Sequence, residues 1–110
     1  MTRGEVYLAK LGSIGHQVGS VQGGIRPVII VQNDVGNMHS PTTLVVPVTS
    51  QNKHNLPTHF SVKNLHKNSI ALCEQIQTVD KTQLLKAIGK LDEEEMTMLK
   101  KALTISLALN

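Results

Sequence analysis

Residues 22–34 read QGGIRPVIIVQND, and this stretch decides the fold. Its centre, residues 26–33, is a near-continuous run of β-branched residues, which is typical of a strand buried on both faces. Pro27 falls at the start of that strand, where a missing backbone N–H does least harm. Arg26 is one of only two arginines in the chain, and it does not suit a core. We therefore expect Arg26 either to lie on the surface or to take part in chemistry.

Four further stretches carry the alternating or β-branched patterns of strands. They are EVYLAKL (5–11), TLVVPVTS (43–50), PTHFSV (57–62) and SIALCEQI (69–76). Pro47 within the second of them indicates an edge or a bulge. Residues 12–24 hold five glycines without apolar periodicity, which predicts a flexible loop. Residues 34–42, DVGNMHSPT, are predicted to form a turn-rich connection.

The spacing of apolar residues changes from that of a strand to that of a helix in the last segment, residues 91–110, which read LDEEEMTMLKKALTISLALN. Asp92 is a predicted helix N-cap, and Glu95 three residues later completes a capping-box pattern. A stripe at helical spacing predicts one apolar face packed on the core; it consists of Met96, Leu99, Leu103 and Leu107. Several short strands followed by a helix predict a small β-barrel flanked by a helix, as a single domain over residues 1–110.

Charge and composition narrow the classes of function. The formal charge is +3, with +4 in residues 1–70 and −1 in residues 71–110, which is compatible with a polyanionic partner. Tyr7 and Phe60 are the only Phe, Tyr or Trp residues, so the aromatic stacking platforms of many RNA-binding folds are excluded. Cys73 is the single cysteine, and it cannot form an internal disulfide. We expect a cytoplasmic protein with no membrane span.

The usual catalytic motifs are absent from the sequence, including the phosphate-binding loop, the GxSxG elbow and the HExxH zinc motif. The five histidines fall in predicted loops or at strand edges, where a solvated side chain is the ordinary outcome. His54, His59 and Cys73 do not match a standard metal-ligand spacing. No metal site and no cofactor are therefore predicted.

Polar residues at predicted strand ends remain as candidates. Gly23 and Gly24 allow backbone N–H groups to approach an anion, and the adjacent guanidinium of Arg26 suits a phosphate. Thr49 and Ser50 end a strand that we expect to neighbour Arg26. The alternative is structural: Arg26 pairs with an acid, Asp34 or Glu74, and Thr49 only hydrogen-bonds within a strand. The spacing of these residues does not distinguish a catalytic from a structural role for Arg26 and Thr49.

Several short motifs, in order along nearly the whole chain, resemble the MazF/PemK toxins of bacterial toxin–antitoxin modules. They are QGGIRPVIIVQND, the SPT of 40–42, the VTSQ of 48–51, the LPTH of 56–59, CEQIQTVDK (73–81) and ISLAL (105–109). The resemblance implies an SH3-like β-barrel with a C-terminal helix, and a homodimer. It also implies a metal-independent endoribonuclease that cuts single-stranded RNA and is neutralised by a cognate MazE-like antitoxin.

The resemblance further implies which residues form the site. Arg26 and Thr49 match the family's catalytic pair. The implied RNA-binding residues are Ser20, Gln22, Gly23, Gly24, Asn33, Ser50, Gln51, Leu56, Pro57, Glu74 and Gln75. Gln77 departs from the family pattern, which commonly has Arg there, and the glycine-rich loop is longer than usual. Two other functions stay open: a gyrase-poisoning toxin of the CcdB type, although the tail SLALN lacks that family's aromatic residues, and a non-catalytic binding module.

Overall fold

The computed structural model describes residues 1–12, 24–50 and 55–109. Most of the predicted glycine-rich loop, residues 13–23, lies outside the described residues, as do residues 51–54. The strands are β1 (Glu5–Leu11), β2 (Gly24–Ile30), β3 (Thr42–Thr49), β4 (His59–Val62), β5 (Ser69–Leu72), β6 (Gln77–Asp80) and β7 (Leu84–Lys90). The helices are α1 (Asp34–His39) and α2 (Glu93–Ser106), with a short 3₁₀ turn at Lys81–Gln83.

The seven strands form an antiparallel sheet in the order β4-β5-β3-β2-β1-β7, and β6 is a third partner of β3. No ladder joins β4 to β7 within the described residues, so the predicted barrel is an open sheet there. Pro47 pairs with Val28 at the point where β3 changes its other partner from β6 to β5. A residue without a backbone N–H is tolerated there because the ladder between β3 and β6 has ended and the ladder between β3 and β5 begins at Val48.

Strand β2 is buried on both faces, as its β-branched run predicts. Val28 and Ile30 belong to one buried cluster, whereas Ile29 belongs to the other. All three side chains are 0% exposed. Because successive residues of a strand point to opposite faces, β2 contributes to two cores at once. Pro27 is the fourth residue of β2 rather than its first, and it lies one residue before the ladder to β3 begins.

Helix α2 begins as predicted. The Asp92 side chain accepts from the backbone N–H of Glu95, and the Glu95 side chain accepts from that of Asp92, which completes the capping box. Leu99 and Leu103 are buried against the larger core cluster, and Met96 is partly buried. Leu107 is 52% exposed, because the helix has ended at Ser106 and the stripe ends with it.

Two predictions about the connections were wrong. Residues 34–39 form the short helix α1, which polar contacts hold in place: Asn33 caps it, and the Asn37 side chain accepts from the Thr43 hydroxyl at 2.7 Å. Residues 69–76 are not one strand, because β5 ends at Leu72, and the chain turns before β6. Strand β7 was not predicted at all.

Candidate functional site

Arg26 and Ser50 line one cavity of about 480 Å³. Arg26 lies on β2 opposite Ala9, and Ser50 directly follows the last residue of the neighbouring β3. The cavity therefore lies where two adjacent strands bring a guanidinium and a hydroxyl together, as the sequence predicted. Its described lining comprises Leu8, Arg26, Pro27, Val48, Ser50, Asn64, Leu65, His66, Lys67, Ser69 and Ile88.

The two carboxylates considered as structural partners for Arg26 are engaged by other groups. Asp34 accepts from the Arg3 backbone N–H at 2.7 Å and from the Asn37 side chain at 3.2 Å. The backbone bond from Arg3 is the main cause that lowers the pKa of Asp34 below its ordinary value. Glu74 accepts from the side chains of Thr58 and His59, each at 2.8 Å.

Thr49, the second candidate catalytic residue, is only 1% exposed. It pairs with Ile70 of β5 at the end of β3. Ser50, the next residue, is exposed and lines the cavity. The hydroxyl at the cavity surface is thus that of Ser50, whereas Thr49 is buried in the sheet and is not among the described lining residues of the cavity.

A second group of predicted residues is brought together by two turns. His59 donates to Glu74 through Nε2, and its side chain is 6% exposed. Its other ring nitrogen, Nδ1, is buried and has no hydrogen-bond partner among the described residues. Desolvation of Glu74 acts to raise its pKa, but the hydrogen bonds from His59, from its own backbone and from Thr58 outweigh this and lower the pKa. Leu56 and Pro57, both exposed, precede this pair.

The other predicted RNA-binding residues are dispersed or not described. Asn33 is exposed, but its side chain caps α1 by accepting from Gly36 N at 2.7 Å. Gly24 pairs with Leu11 at the start of β2, with φ +71°, a conformation that favours glycine. The backbone N–H of Gln75 donates to Leu72 O at 3.0 Å. Four predicted residues lie outside the described residues: Ser20, Gln22, Gly23 and Gln51.

Sequence reasoning missed the loop between β4 and β5, residues 63–68, which supplies four of the cavity's lining residues: Asn64, Leu65, His66 and Lys67. Its sequence, KNLHKN, holds one apolar residue among polar ones, a pattern ordinary for an exposed loop. Leu65 could have indicated that this loop packs on the fold, because a lone apolar residue in a polar loop often anchors the loop to the core.

Neither a metal centre nor a membrane span is present in the part of the chain that the structure describes. Its His, Cys, Asp and Glu side chains form no group of three or more that could hold a metal ion. His54, one residue of the metal pattern considered above, lies outside the described residues. None of the described helices has the length and apolar character needed to cross a membrane.

Comparison with known proteins identifies relatives over almost the whole chain. Residues 2–107 match the family model described as PemK-like, MazF-like toxin of type II toxin–antitoxin system. The chain is 46% identical to Endoribonuclease EndoA of Bacillus subtilis over 112 residues, covering 97% of this chain and 94% of the relative.

Solved structures share the fold. A mycobacterial endoribonuclease, solved in complex with its cognate antitoxin, superposes with a TM-score of 0.82 at 23% identity, over 100% of this chain and 97% of that one. MazF from Deinococcus radiodurans gives a TM-score of 0.80 at 17% identity, over 98% and 96% of the two chains. The predicted fold class, mainly β with a C-terminal helix, is thereby confirmed.

Proposed function

The chain belongs to the PemK-like, MazF-like family of toxins of type II toxin–antitoxin systems, and from this premise we propose that it is an endoribonuclease that cuts single-stranded RNA at a short sequence. The observation that assigns the proposal to particular residues is the cavity that Arg26 and Ser50 share, with the buried Thr49 as the residue before Ser50. The 46% identity to a named endoribonuclease supports RNA cleavage as the activity.

The proposed reaction uses the RNA's own 2′-hydroxyl. Its oxygen attacks the adjacent phosphorus as its proton passes to a base, and the bond from phosphorus to the 5′ oxygen breaks. The leaving oxygen takes a proton, so the products carry a 2′,3′-cyclic phosphate and a 5′-hydroxyl. Arg26 stabilises the charge that develops on the phosphorane oxygens and supplies that proton. Ser50 positions a non-bridging oxygen at the cavity surface, and the buried Thr49 before it fixes the strand end that presents Ser50.

The assembly and location are part of the same proposal. Residues 1–110 act as one toxin domain, in a cytoplasmic homodimer that a MazE-like antitoxin neutralises by covering the RNA site. The complex of the mycobacterial relative with its own antitoxin supports such a partner. Light scattering after gel filtration, with and without an antitoxin encoded beside the toxin gene, tests the dimer and the complex.

The activity is tested by incubating the protein with a long single-stranded RNA in EDTA. We expect discrete cuts, fragments with 5′-hydroxyl ends, and no cut in a matched oligonucleotide with a single 2′-deoxy substitution at the mapped site. Absence of cuts contradicts the proposal; inhibition of gyrase would then indicate the CcdB-type poison, and binding without cleavage the non-catalytic module.

The role of Arg26 is tested by Arg26→Ala. Removing one donor that stabilises a transition state typically lowers the rate by about 10²–10³. Lys101→Ala removes one positive charge from the exposed face of α2 and serves as the control. An Arg26→Ala protein that cuts within about threefold of the wild-type rate would exclude Arg26 from the mechanism.

A further inference from the structure

The loop of residues 63–68 is fixed to the fold at several points. The backbone N–H of Lys63 donates to Glu95 of α2 at 2.7 Å. Leu65 packs against the larger core cluster, and its Cδ2 would lie 3.7 Å from a Cβ placed on Gly89 of β7. At the other end, the Ser69 hydroxyl donates to the Lys67 carbonyl at 2.8 Å. The loop therefore spans the open side of the sheet, between β4 and β7, and these three contacts attach it to the fold.

This anchoring determines which side chains are available to a ligand. Leu65 is partly buried, whereas its neighbours Asn64, His66 and Lys67 are exposed. Asn64 adopts φ +64°, a left-handed conformation that asparagine tolerates better than most residues. All four line the cavity that holds Arg26. The loop is thus one wall of that cavity, opposite the strands.

The chemistry of the lining indicates the kind of ligand. Arg26 and Lys67 are cationic, and no carboxylate is among the described lining residues. The remaining wall is largely apolar, formed by Leu8, Pro27, Val48, Leu65 and Ile88. A volume of about 480 Å³ falls within the range of small-molecule sites, about 300–1,000 Å³. Two cations beside an apolar surface fit a phosphate joined to a base.

Among the described lining residues of the cavity, His66 carries the aromatic ring. Bases in single-stranded RNA stack on aromatic rings, including that of histidine. Phe60 is buried, and neither Phe60 nor Tyr7 is a lining residue of this cavity. Of the side chains that the structure describes around the cavity, the imidazole of His66 is therefore the ring available to stack on a base.

We propose that the loop of residues 63–68 forms a nucleotide subsite for the RNA substrate, in which Lys67 binds a phosphate beside the one that is cut and His66 stacks on the attached base. This inference rests on the proposed endoribonuclease function and adds residues that select and hold the substrate. Arg26 acts on the reacting phosphate, whereas Lys67 and His66 act on its neighbour.

The test compares Lys67→Ala, Lys67→Met and His66→Ala with the control Lys101→Ala, using one long RNA and a short RNA that carries a mapped site. For Lys67→Ala and Lys67→Met we expect KM to rise about tenfold with kcat nearly unchanged. The slope of log KM against log salt should also become shallower by about 0.7, the value for one phosphate contact on a single strand. For His66→Ala we expect about a fivefold or greater loss in kcat/KM, because stacking on one base is worth about 1–3 kcal/mol, and a changed list of cut sites.

The outcomes separate the two proposals. If wild type and Lys101→Ala fail to cut RNA, the proposed function is wrong and the subsite falls with it. If both cut, but the folded loop variants match them in KM, salt slope and cut sites, only the subsite is wrong. Loop variants that lose affinity for the antitoxin while keeping wild-type RNA cleavage would assign the loop to that protein and would also overturn the inference. Lys67→Met retains the apolar stem of the side chain, so it isolates the charge if Lys67→Ala is unstable.

Discussion

Replacing Glu95 by Gln should destabilise the protein far more than its position on a helix would suggest. Glu95 is 1% exposed, and each of its oxygens has a separate task. Oε1 accepts from the Asp92 backbone N–H at 2.9 Å, and Oε2 accepts from that of Lys63 at 2.7 Å. An amide of the same size has one oxygen and one NH₂ group, so it can accept only one of these two bonds.

The magnitude follows from the contact that is lost. A hydrogen bond to a charged group contributes about 1.5–3 kcal/mol, and a buried donor left unsatisfied costs about 1–3 kcal/mol. Because these two figures describe partly the same loss, we expect Glu95→Gln to lower the free energy of unfolding by about 3 kcal/mol. Where the amide oxygen keeps the bond from Asp92, the loop of residues 63–68 loses its backbone hydrogen bond to α2, and KM for RNA should rise in the same variant.

Urea unfolding at one fixed protein concentration measures the first effect. The matched control is Glu94→Gln, one residue away in the same helical turn. Glu94 is 75% exposed in its side chain and lies 3.8 Å from Lys63 Nζ, so its loss should change stability by no more than about 0.5 kcal/mol. If Glu95→Gln also falls within that limit, the carboxylate does not join the helix to the loop.

Three further predictions concern separate parts of the molecule. Thr49→Val removes only a buried hydroxyl, so we expect a folded protein with RNA cleavage reduced at least tenfold. Circular dichroism checks the fold and a cleavage assay checks the activity. Activity within threefold of wild type would exclude the hydroxyl from the mechanism. Gly4→Ala should destabilise the protein by more than about 1 kcal/mol, because Gly4 has φ +96° and a Cβ would lie 2.6 Å from Met96 Sδ; a double variant with Met96→Ala should recover only the part due to the clash. Glu74 has a pKa below its ordinary 4.5, so its ionised form stabilises the fold above pH 4.5, and this stabilisation is lost as the pH falls through the lower pKa of the folded state. The urea midpoints of wild type and Glu74→Gln should therefore converge between pH 6 and pH 3. A difference that stays constant with pH would contradict the pairing with His59.

The elements that the sequence predicted well are those with a strong pattern of burial. Strands β1, β2 and β3 were recognised from alternating or β-branched residues, and the start of α2 from Asp92 and Glu95. In each case the local pattern and the tertiary packing favour the same structure. The bounds of β1 are those predicted, whereas the bounds of β2 and β3 differ from the predicted ones by one to three residues, as at Gly24.

The missed elements are held by contacts that no local pattern reports. In β7 only Leu84 and Ile88 are partly buried and the other five residues are exposed, so its pairing with β1 leaves little apolar signal. Helix α1 contains Gly36 and Asn37, which are poor helix formers, and it depends on side-chain bonds to residues outside it.

The site was predictable where it follows strand ends and unpredictable where it depends on loops. Arg26 and Ser50 share a cavity because their strands are neighbours, and a sequence can suggest that. The contact between His59 and Glu74 joins residues 15 positions apart across two turns. The approach of Leu65 to Gly89 likewise depends on the whole sheet.

Strand ladders hold the proposed catalytic residues, whereas two connections between strands lie beside those residues in the sequence. The strand ends at Thr49, next to residues 51–54, and β2 begins at Gly24, next to residues 13–23. Both connections therefore join the fold beside the proposed catalytic pair, yet the register of Arg26 opposite Ala9 and of Thr49 opposite Ile70 is set by strand ladders. Insertions or deletions in either connection leave those ladders unchanged. Because Ser20, Gln22, Gly23 and Gln51 of the predicted RNA-binding set belong to these two connections, the RNA sequence that is selected can change while the ladders keep the proposed catalytic residues in place.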